Sequence, residues 1–321
     1  MDTRKLLVDN KFESSNGVLP YIGSGPYCYS NSLVMMLGEH APAPAVVEVL
    51  TASPFGMVLL AGRTPFFDPY GWTPEIGMDL AMSLLGWTCR RESGGTGDEA
   101  AQRLRRALAR GPVLVGPVEI GLLRYHPDMH GPIGSDHYVV ALGIEGDRVL
   151  LHDPHGYPFT AFPLPELLAA WRADSLDYGT SYTLRYDFAR EREVGIEQAL
   201  RGVLPEAIAF LSNRDDHPVP DGTVGAGVAA HALADLLSSD PDPDLIGHLT
   251  FFAVRVGARR LSDAATMLGA LGLDRAADTA AEQARLVGSL QYDLVTGDFA
   301  TAARTLRELA PSYERLAHAL S

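Results

Sequence analysis

Cysteine is scarce in this chain: among 321 residues only Cys28 and Cys89 occur. Two thiols cannot form the disulfide framework that staples small secreted domains, and their sparseness fits a reducing compartment. Basic charge is short as well, since 26 Lys and Arg against 40 Asp and Glu leave a formal net charge of −14. No run of Lys or Arg is present to neutralise a phosphate backbone, which argues against nucleic-acid binding. Long apolar runs are also missing. None approaches the ~20 residues that span a bilayer, and the opening stretch from Met1 to Asp9 lacks the apolar core of a signal peptide. The expectation is a soluble, cytoplasmic protein that works without a membrane.

The chain is long enough for a sizeable core and for two ordinary domains, with 46% hydrophobic and 21% charged residues. Through residue 187 the pattern is mixed. Asn31 to Glu39, Val46 to Leu50, Glu75 to Leu85, Asp98 to Arg110 and Leu164 to Arg172 read as helical; Leu104, Ala107 and Leu108 share one face of the fourth. Trp87 to Arg91, Val113 to Val118 and Thr180 to Tyr186 read as strands, Pro117 marking the second as an edge or a bulge. From Arg63 to Thr73 an aromatic, Pro/Gly-rich loop carries too many large side chains for a plain linker. Beyond about 188 the chain is rich in Ala, Leu and Arg at helical spacing, with no strand signal. The expected division is a mixed domain over 1–187 and a helical accessory domain over 188–321.

The segment from Ser135 to His155 carries the chemistry. Val139, Ala141 and Gly143 alternate with Val140, Leu142 and Ile144, Glu145-Gly-Asp147 supplies a turn, and Arg148 to His152 runs back. Such a hairpin brings His137, before the first strand, beside Asp153, after the second. An imidazole oriented by a carboxylate is two-thirds of a nucleophilic triad, and Cys28 is the candidate third. It follows Gly25-Pro26 and precedes an apolar helical run, so it sits at or near a helix N-terminus, where the positive end of the helix favours a thiolate. Backbone N–H groups of Ser24, Gly25, Tyr27 and Cys28 are candidates for an oxyanion hole.

Cys28, His137 and Asp153, in that order, resemble the papain-like peptidases that remove bacteriocin leaders (the C39 branch), in which a His opens a Val-rich strand and the returning strand ends in Asp-Pro. His137-Tyr-Val-Val and Asp153-Pro154 match that pattern. A closer resemblance is to the N-terminal family of butirosin biosynthesis protein H. It rests on Cys28 with Ser30 to Leu33, Ser53-Pro-Phe-Gly56, Pro65-Phe-Phe67, Leu85-Gly86, Arg110-Gly-Pro-Val-Leu114 and the His137/Asp153 hairpin, spanning roughly residues 20–187. The resemblance implies an α+β, papain-like fold, with an N-terminal helix bearing the Cys and an antiparallel sheet bearing the His and Asp, followed by an all-α C-terminal domain. It further implies a cysteine-dependent acyltransferase of antibiotic biosynthesis. An acyl group would pass from a thioester on an acyl carrier protein or CoA to the cysteine, and from there to an amine of a small-molecule acceptor. The leader peptidases carry a Gln six residues before the cysteine, where this chain has Ile22; that departure counts against peptide cleavage and suits a more reactive thioester.

Each residue also has a plainer interpretation. Cys28 could be a small buried residue, Asp153-Pro154 a turn, and Asn31 either a substrate contact or a backbone partner. Phe66, Phe67, Tyr70 and Trp72 either wall an acyl pocket or pack, Cys89 belongs to the core, and Glu119 and Tyr125 are open as cleft residues. His126 and His130 lie in a Pro/Gly loop while His152 and His155 flank Asp153, and no Cys/His spacing matches a structural zinc site. No metal and no cofactor are therefore expected. The same acyl-enzyme would serve a hydrolase or peptidase, or a Dieckmann-type cyclase, and a papain-like scaffold without turnover would be a binding module. An acidic enzyme meets an acidic carrier protein only through a local docking patch, and a homodimer is among the assembly states left open.

Overall fold

The computed structural model describes residues 27–214, 216–239 and 241–321. In chain order the elements are α1 (Cys28–Leu37), α2 (Pro44–Leu50), β1 (Val58–Leu60), β2 (Thr64–Phe66), α3 (Pro74–Leu85), β3 (Trp87–Glu92), α4 (Gly97–Leu108), β4 (Val113–Glu119), β5 (Asp136–Glu145), β6 (Arg148–Asp153), β7 (Tyr157–Pro163), α5 (Leu164–Trp171) and β8 (Leu184–Arg190). There follow α6 (Ile196–Leu211), β9 (Val224–Gly225), α7 (Ala226–Ser238), α8 (Pro243–His248), α9 (Val254–Ala270), α10 (Asp274–Thr296), α11 (Phe299–Leu309) and α12 (Ser312–Leu320). The fold is α+β with antiparallel sheets and a helical C-terminal region. Among the described residues no single helix is long and apolar enough to cross a membrane.

The chain divides into two units that interleave along the sequence. The sheet unit comprises residues 27–44 and 85–193; the helical unit comprises 45–84 and 194–321. In the sheet unit six antiparallel strands run in the order β3-β8-β4-β5-β6-β7. Val113, Val115, Val139, Ala141, Val149 and Leu151 pack with Ala100, Leu104 and Ala107 of α4 and with Leu164, Leu167 and Trp171 of α5. The register of β5 on β6 is set by the two-residue turn Gly146-Asp147, where Gly146 has φ +62°, a left-handed conformation that costs a glycine nothing. A bulge near Pro117 lets β4 hold an interior place between β8 and β5, so the bulge expected at Pro117 is present and the edge position is not. Helix α4 starts with a capping box, in which Thr96 and Glu99 each accept the other's backbone N–H.

The helical unit differs from a plain C-terminal tail. It recruits residues 45–84, because that segment buries its apolar and charged groups there. Strand β1 pairs with β2 and also with β9, a two-residue strand inside the region that carries no strand signal in the sequence. Phe67 lies against Gly257 of α9, where any Cβ would collide with its ring. Arg260 of α9, 4% exposed, reaches back to Glu48, 0% exposed, with Nε 2.6 Å from Oε1, and also pairs with Asp68. Ser53 donates its hydroxyl to the same Glu48 oxygen at 2.9 Å.

Removing one member of a buried ion pair strands the other charge, a loss of about 3–5 kcal/mol. Arg260→Ala is expected to lower the unfolding free energy by that amount in urea titrations of the full chain. A loss below about 1 kcal/mol, the scale of an exposed pair, would show that this pair does not tie segment 45–84 to α9.

Candidate active site

The hairpin delivers its two chemical groups as its register dictates. Val140 pairs with His152, which brings Asp153 level with Val139 and one pleat from His137 on the same face of the sheet. His137, 1% exposed, and Asp153, 4% exposed, meet with Nε2 2.9 Å from Oδ1. The other carboxylate oxygen is shared: His126 Nε2 lies 2.8 Å from Oδ2, and the Tyr125 hydroxyl donates to the same atom at 2.7 Å. The backbone N–H of His155 donates to Oδ1 at 2.7 Å. An ionised carboxylate only accepts, so both imidazoles donate from Nε2. That tautomer makes Nδ1 of His137 an acceptor, the state a general base requires.

Burial opposes the charge on Asp153. The His137 imidazole, the hydrogen bonds from His126 and His137 and the His155 N–H outweigh it and hold the carboxyl well below the ordinary carboxylate range. Burial first, and the adjacent Asp153 charge second, push the Tyr125 hydroxyl far above its usual range, so it stays a donor.

Tyr125 and His126 arrive from the segment between β4 and β5, which a single buried carboxylate folds. Glu119, 1% exposed at the end of β4, accepts the N–H groups of Gly121 (3.0 Å), Ile133 (3.1 Å) and Gly134 (2.9 Å), and the Ser175 hydroxyl. Gly121 lies so close to the Gly131 carbonyl that a Cβ would collide with it. Thus Glu119 pins the loop, and of the two residues left open as cleft groups only Tyr125 touches the carboxylate. The Tyr125 ring is braced edge-on by Phe162 (centroids 5.1 Å) and Tyr157 (5.7 Å), and Tyr157 also meets the His126 ring at 4.7 Å.

Cys28 is the first residue of α1, after the N-cap Tyr27, and is half-buried. The helix is fastened to β5 beside His137: the Ser32 hydroxyl donates to the Tyr138 carbonyl at 3.1 Å, and the Tyr29 ring meets the Tyr138 ring edge-on at 6.3 Å. Ser32 lies one turn along the same helix face as Cys28. The first helical hydrogen bond, Asn31 N–H to the Tyr27 carbonyl at 2.8 Å, leaves the N–H groups of the first turn outside the intrahelical ladder, at the positive end of the helix. Asn31 itself is partly buried in that turn. Ile22, Ser24 and Gly25, named above in connection with the oxyanion hole, lie outside the described residues.

The aromatic residues open to an acyl-pocket or a packing role belong to the helical unit. Phe67 and Trp72 are 2% and 8% exposed. The Trp72 indole donates to the Thr51 carbonyl at 2.7 Å, with the Arg260 guanidinium 5.8 Å from its ring centroid. Phe66 meets His248 edge-on at 4.8 Å and Phe252 at 6.3 Å, and the Tyr70 Cβ lies close to Gly225. Cys89 is only half-buried rather than core, because β3 is an edge strand. His152 points elsewhere, its Nδ1 accepting the Phe159 N–H at 3.2 Å, and His130 is exposed. His126, which sequence spacing gave no reason to place beside Asp153, shares its carboxylate with His137.

These features define an α+β protein in which a buried His–carboxylate pair stands beside a cysteine-bearing helix, with a helical unit contributed largely by the C-terminal half. Residues 220–321 match the model of the YobF C-terminal domain. The chain is also 30% identical, over 252 residues, to "Uncharacterized protein YobF" of Bacillus subtilis (strain 168), the match covering 77% of this chain and 80% of that protein. The chain belongs to the YobF family.

Asp153→Ala would leave two imidazoles and a tyrosine hydroxyl buried without their acceptor, and is expected to destabilise by about 3–5 kcal/mol at pH 7. Because the folded carboxyl titrates below its unfolded value near 3.9, its contribution is complete above about pH 4 and is lost as pH falls towards the depressed folded value. Unfolding of wild type and variant at pH 7 and pH 3 measures both. A gap between them that widens on acidification contradicts the anionic assignment.

Proposed function

We propose that the protein is a cysteine-dependent acyltransferase with a papain-like, C39-like site, in which Cys28 is the nucleophile, His137 the acid–base and Asp153 its orienting group. One observation carries the proposal: a buried His137–Asp153 pair at 2.9 Å, bonded through Nε2 so that Nδ1 remains basic, next to the strand residue on which the Cys28 helix is fastened. The resemblance to the butirosin biosynthesis protein H family supplies the substrate class, an acyl thioester on a carrier protein or CoA, and a cytoplasmic setting in natural-product biosynthesis.

The reaction then runs in two halves. The Cys28 S–H proton passes to His137 Nδ1, and the thiolate attacks the thioester carbonyl. The tetrahedral oxyanion collapses, the donor thiolate leaves and takes the proton back from His137, and an acyl-Cys28 remains. An amine attacks that thioester, surrenders a proton to His137, and expels Cys28 thiolate, which is reprotonated. Water in place of the amine makes the same machinery a hydrolase. The N–H groups of Tyr27, the N-cap, and Cys28, the first residue of α1, are the proposed donors for the oxyanion.

The two cysteines provide an internal comparison, since both are half-buried and a difference in reactivity reports activation rather than access. An ordinary thiol near pKa 8.5 is only about 0.3% thiolate at pH 6. Iodoacetamide at pH 6 is expected to label Cys28 at least tenfold faster than Cys89, and equal slow rates would remove the basis for a nucleophile. Asp153→Asn, which keeps the shape and forfeits the charge, is expected to slow Cys28 alkylation at pH 6 and to cut turnover roughly 10²–10⁴-fold. Intact-protein mass spectrometry with a panel of acyl-CoA and acyl-cysteamine thioesters should show one acyl adduct on wild type, discharged by an added amine and absent from Cys28→Ala. No adduct with any thioester on a correctly folded chain refutes the acyl-transfer assignment.

A further inference from the structure

We propose that His126, His137 and His155 form a binding site for one borderline divalent cation of the zinc class. One ligand nitrogen from each of the three rings lies within 4.8 Å of the other two. The ring centroids are 5.9 Å apart for His126 and His137, 5.7 Å for His126 and His155, and 4.8 Å for His137 and His155. Asp153 holds two of these rings, with Oδ2 2.8 Å from His126 Nε2 and Oδ1 2.9 Å from His137 Nε2. With both Nε2 atoms donating to the carboxylate, the Nδ1 lone pairs of the two rings are left for a ligand role.

The donor set selects the ion. Three imidazole nitrogens suit Zn²⁺, Co²⁺, Ni²⁺ or Cu²⁺, whereas Ca²⁺ and Mg²⁺ need shells dominated by oxygen. Zn–N bonds of about 2.0–2.1 Å in a tetrahedron bring ligand nitrogens to roughly 3.3 Å of each other, so rings whose nitrogens lie within 4.8 Å close by up to about 1.5 Å around a bound ion. His155 is exposed on the turn over 154–156 and meets the other two rings from the solvent side, while His126 and His137 are buried and bonded to Asp153.

Occupancy has a chemical consequence for the neighbouring thiol. With Nε2 of His137 donating to Asp153, the lone pair this ring offers a cation is that of Nδ1. A bound cation occupies that lone pair, and the ring can no longer take the Cys28 proton. The cation would act as a reversible off-switch for the site. Only this consequence rests on the acyltransferase proposal; the metal site stands on its own geometry.

The test uses the full chain in a Cys28→Ser background, so that the thiol contributes no ligand. Zinc binding is measured by equilibrium dialysis with metal analysis, and Co²⁺ is added as a spectroscopic probe. One Zn²⁺ per chain and a Co²⁺ spectrum of tetrahedral intensity are expected. His155→Ala should weaken zinc binding at least tenfold, and His130→Ala, an exposed histidine of the same sheet unit, should leave it unchanged. The site is disproved by equal affinity in the His155→Ala and parent chains, by the absence of stoichiometric binding, or by an octahedral Co²⁺ spectrum alone. With Cys28 restored, saturating zinc should slow its alkylation. Tight, His155-dependent zinc binding with a Cys28 that was never activated keeps the metal site and refutes the enzyme, while an activated Cys28 without zinc binding does the reverse.

Discussion

The sheet unit is organised around one buried carboxylate. Asp153 takes two imidazole N–H groups, a tyrosine hydroxyl and a backbone N–H, all between 2.7 and 2.9 Å. An isolated carboxylate at 4% exposure would protonate rather than remain charged, so four donors in place of water are the condition for its ionisation. The four donors come from three parts of the chain: β5, the loop after β4 (twice) and the turn after β6. The anion thereby fixes the relative positions of three segments, and the tautomer of His137 follows from that fixation.

A second buried carboxylate makes the first arrangement attainable. Glu119 gathers three backbone N–H groups of the segment after β4, joining its two ends where local turns alone tie only near neighbours. With the loop pinned, Tyr125 and His126 are presented to Asp153 as if from a rigid element, and aromatic contacts from Tyr157 and Phe162 oppose their rotation. The helical unit repeats the device in another form: Arg260 satisfies Glu48 and Asp68 at once and makes residues 45–84 part of a core formed mainly by later helices.

What could be read from the sequence was local. The alternation in Val139 to Ile144 and the Gly146-Asp147 turn specify β5 and β6, and register then places Asp153 one pleat from His137. The helices over 74–85, 97–108 and 164–171 follow from apolar periodicity and a capping box. The elements that went unread lack such marks. Strand β7 has prolines near both ends and tolerates them at the sheet edge; β8 carries Arg185 and Asp187 and starts at Leu184 rather than Thr180; β1, β2 and β9 are two or three residues long, too short for any period. His126 could not be assigned because its place depends on Glu119 bonds made across the loop, and no spacing records them. Phe67 and Trp72 looked like pocket residues because aromatic density marks packing and binding alike, and only burial separates the two.

The geometry proposed to prepare His137 for proton transfer also limits what else the site can be. A general base needs one ring nitrogen committed as a donor so that the other is basic, and Asp153 enforces that on His137. It enforces the same tautomer on His126, whose Nδ1 is thus an acceptor with no triad role. A second imidazole on the carboxylate adds a positive-leaning donor that lowers the basicity of Asp153, so Asp153 orients His137 more than it accepts a proton from it. This duplication is more than a cysteine triad requires, since one oriented imidazole suffices for the thiol. Its excess over that requirement, with a third histidine on an exposed turn next to it, is what the proposed metal site draws on. The two proposed states exclude each other through one lone pair, that of His137 Nδ1, which takes the thiol proton in one and the cation in the other.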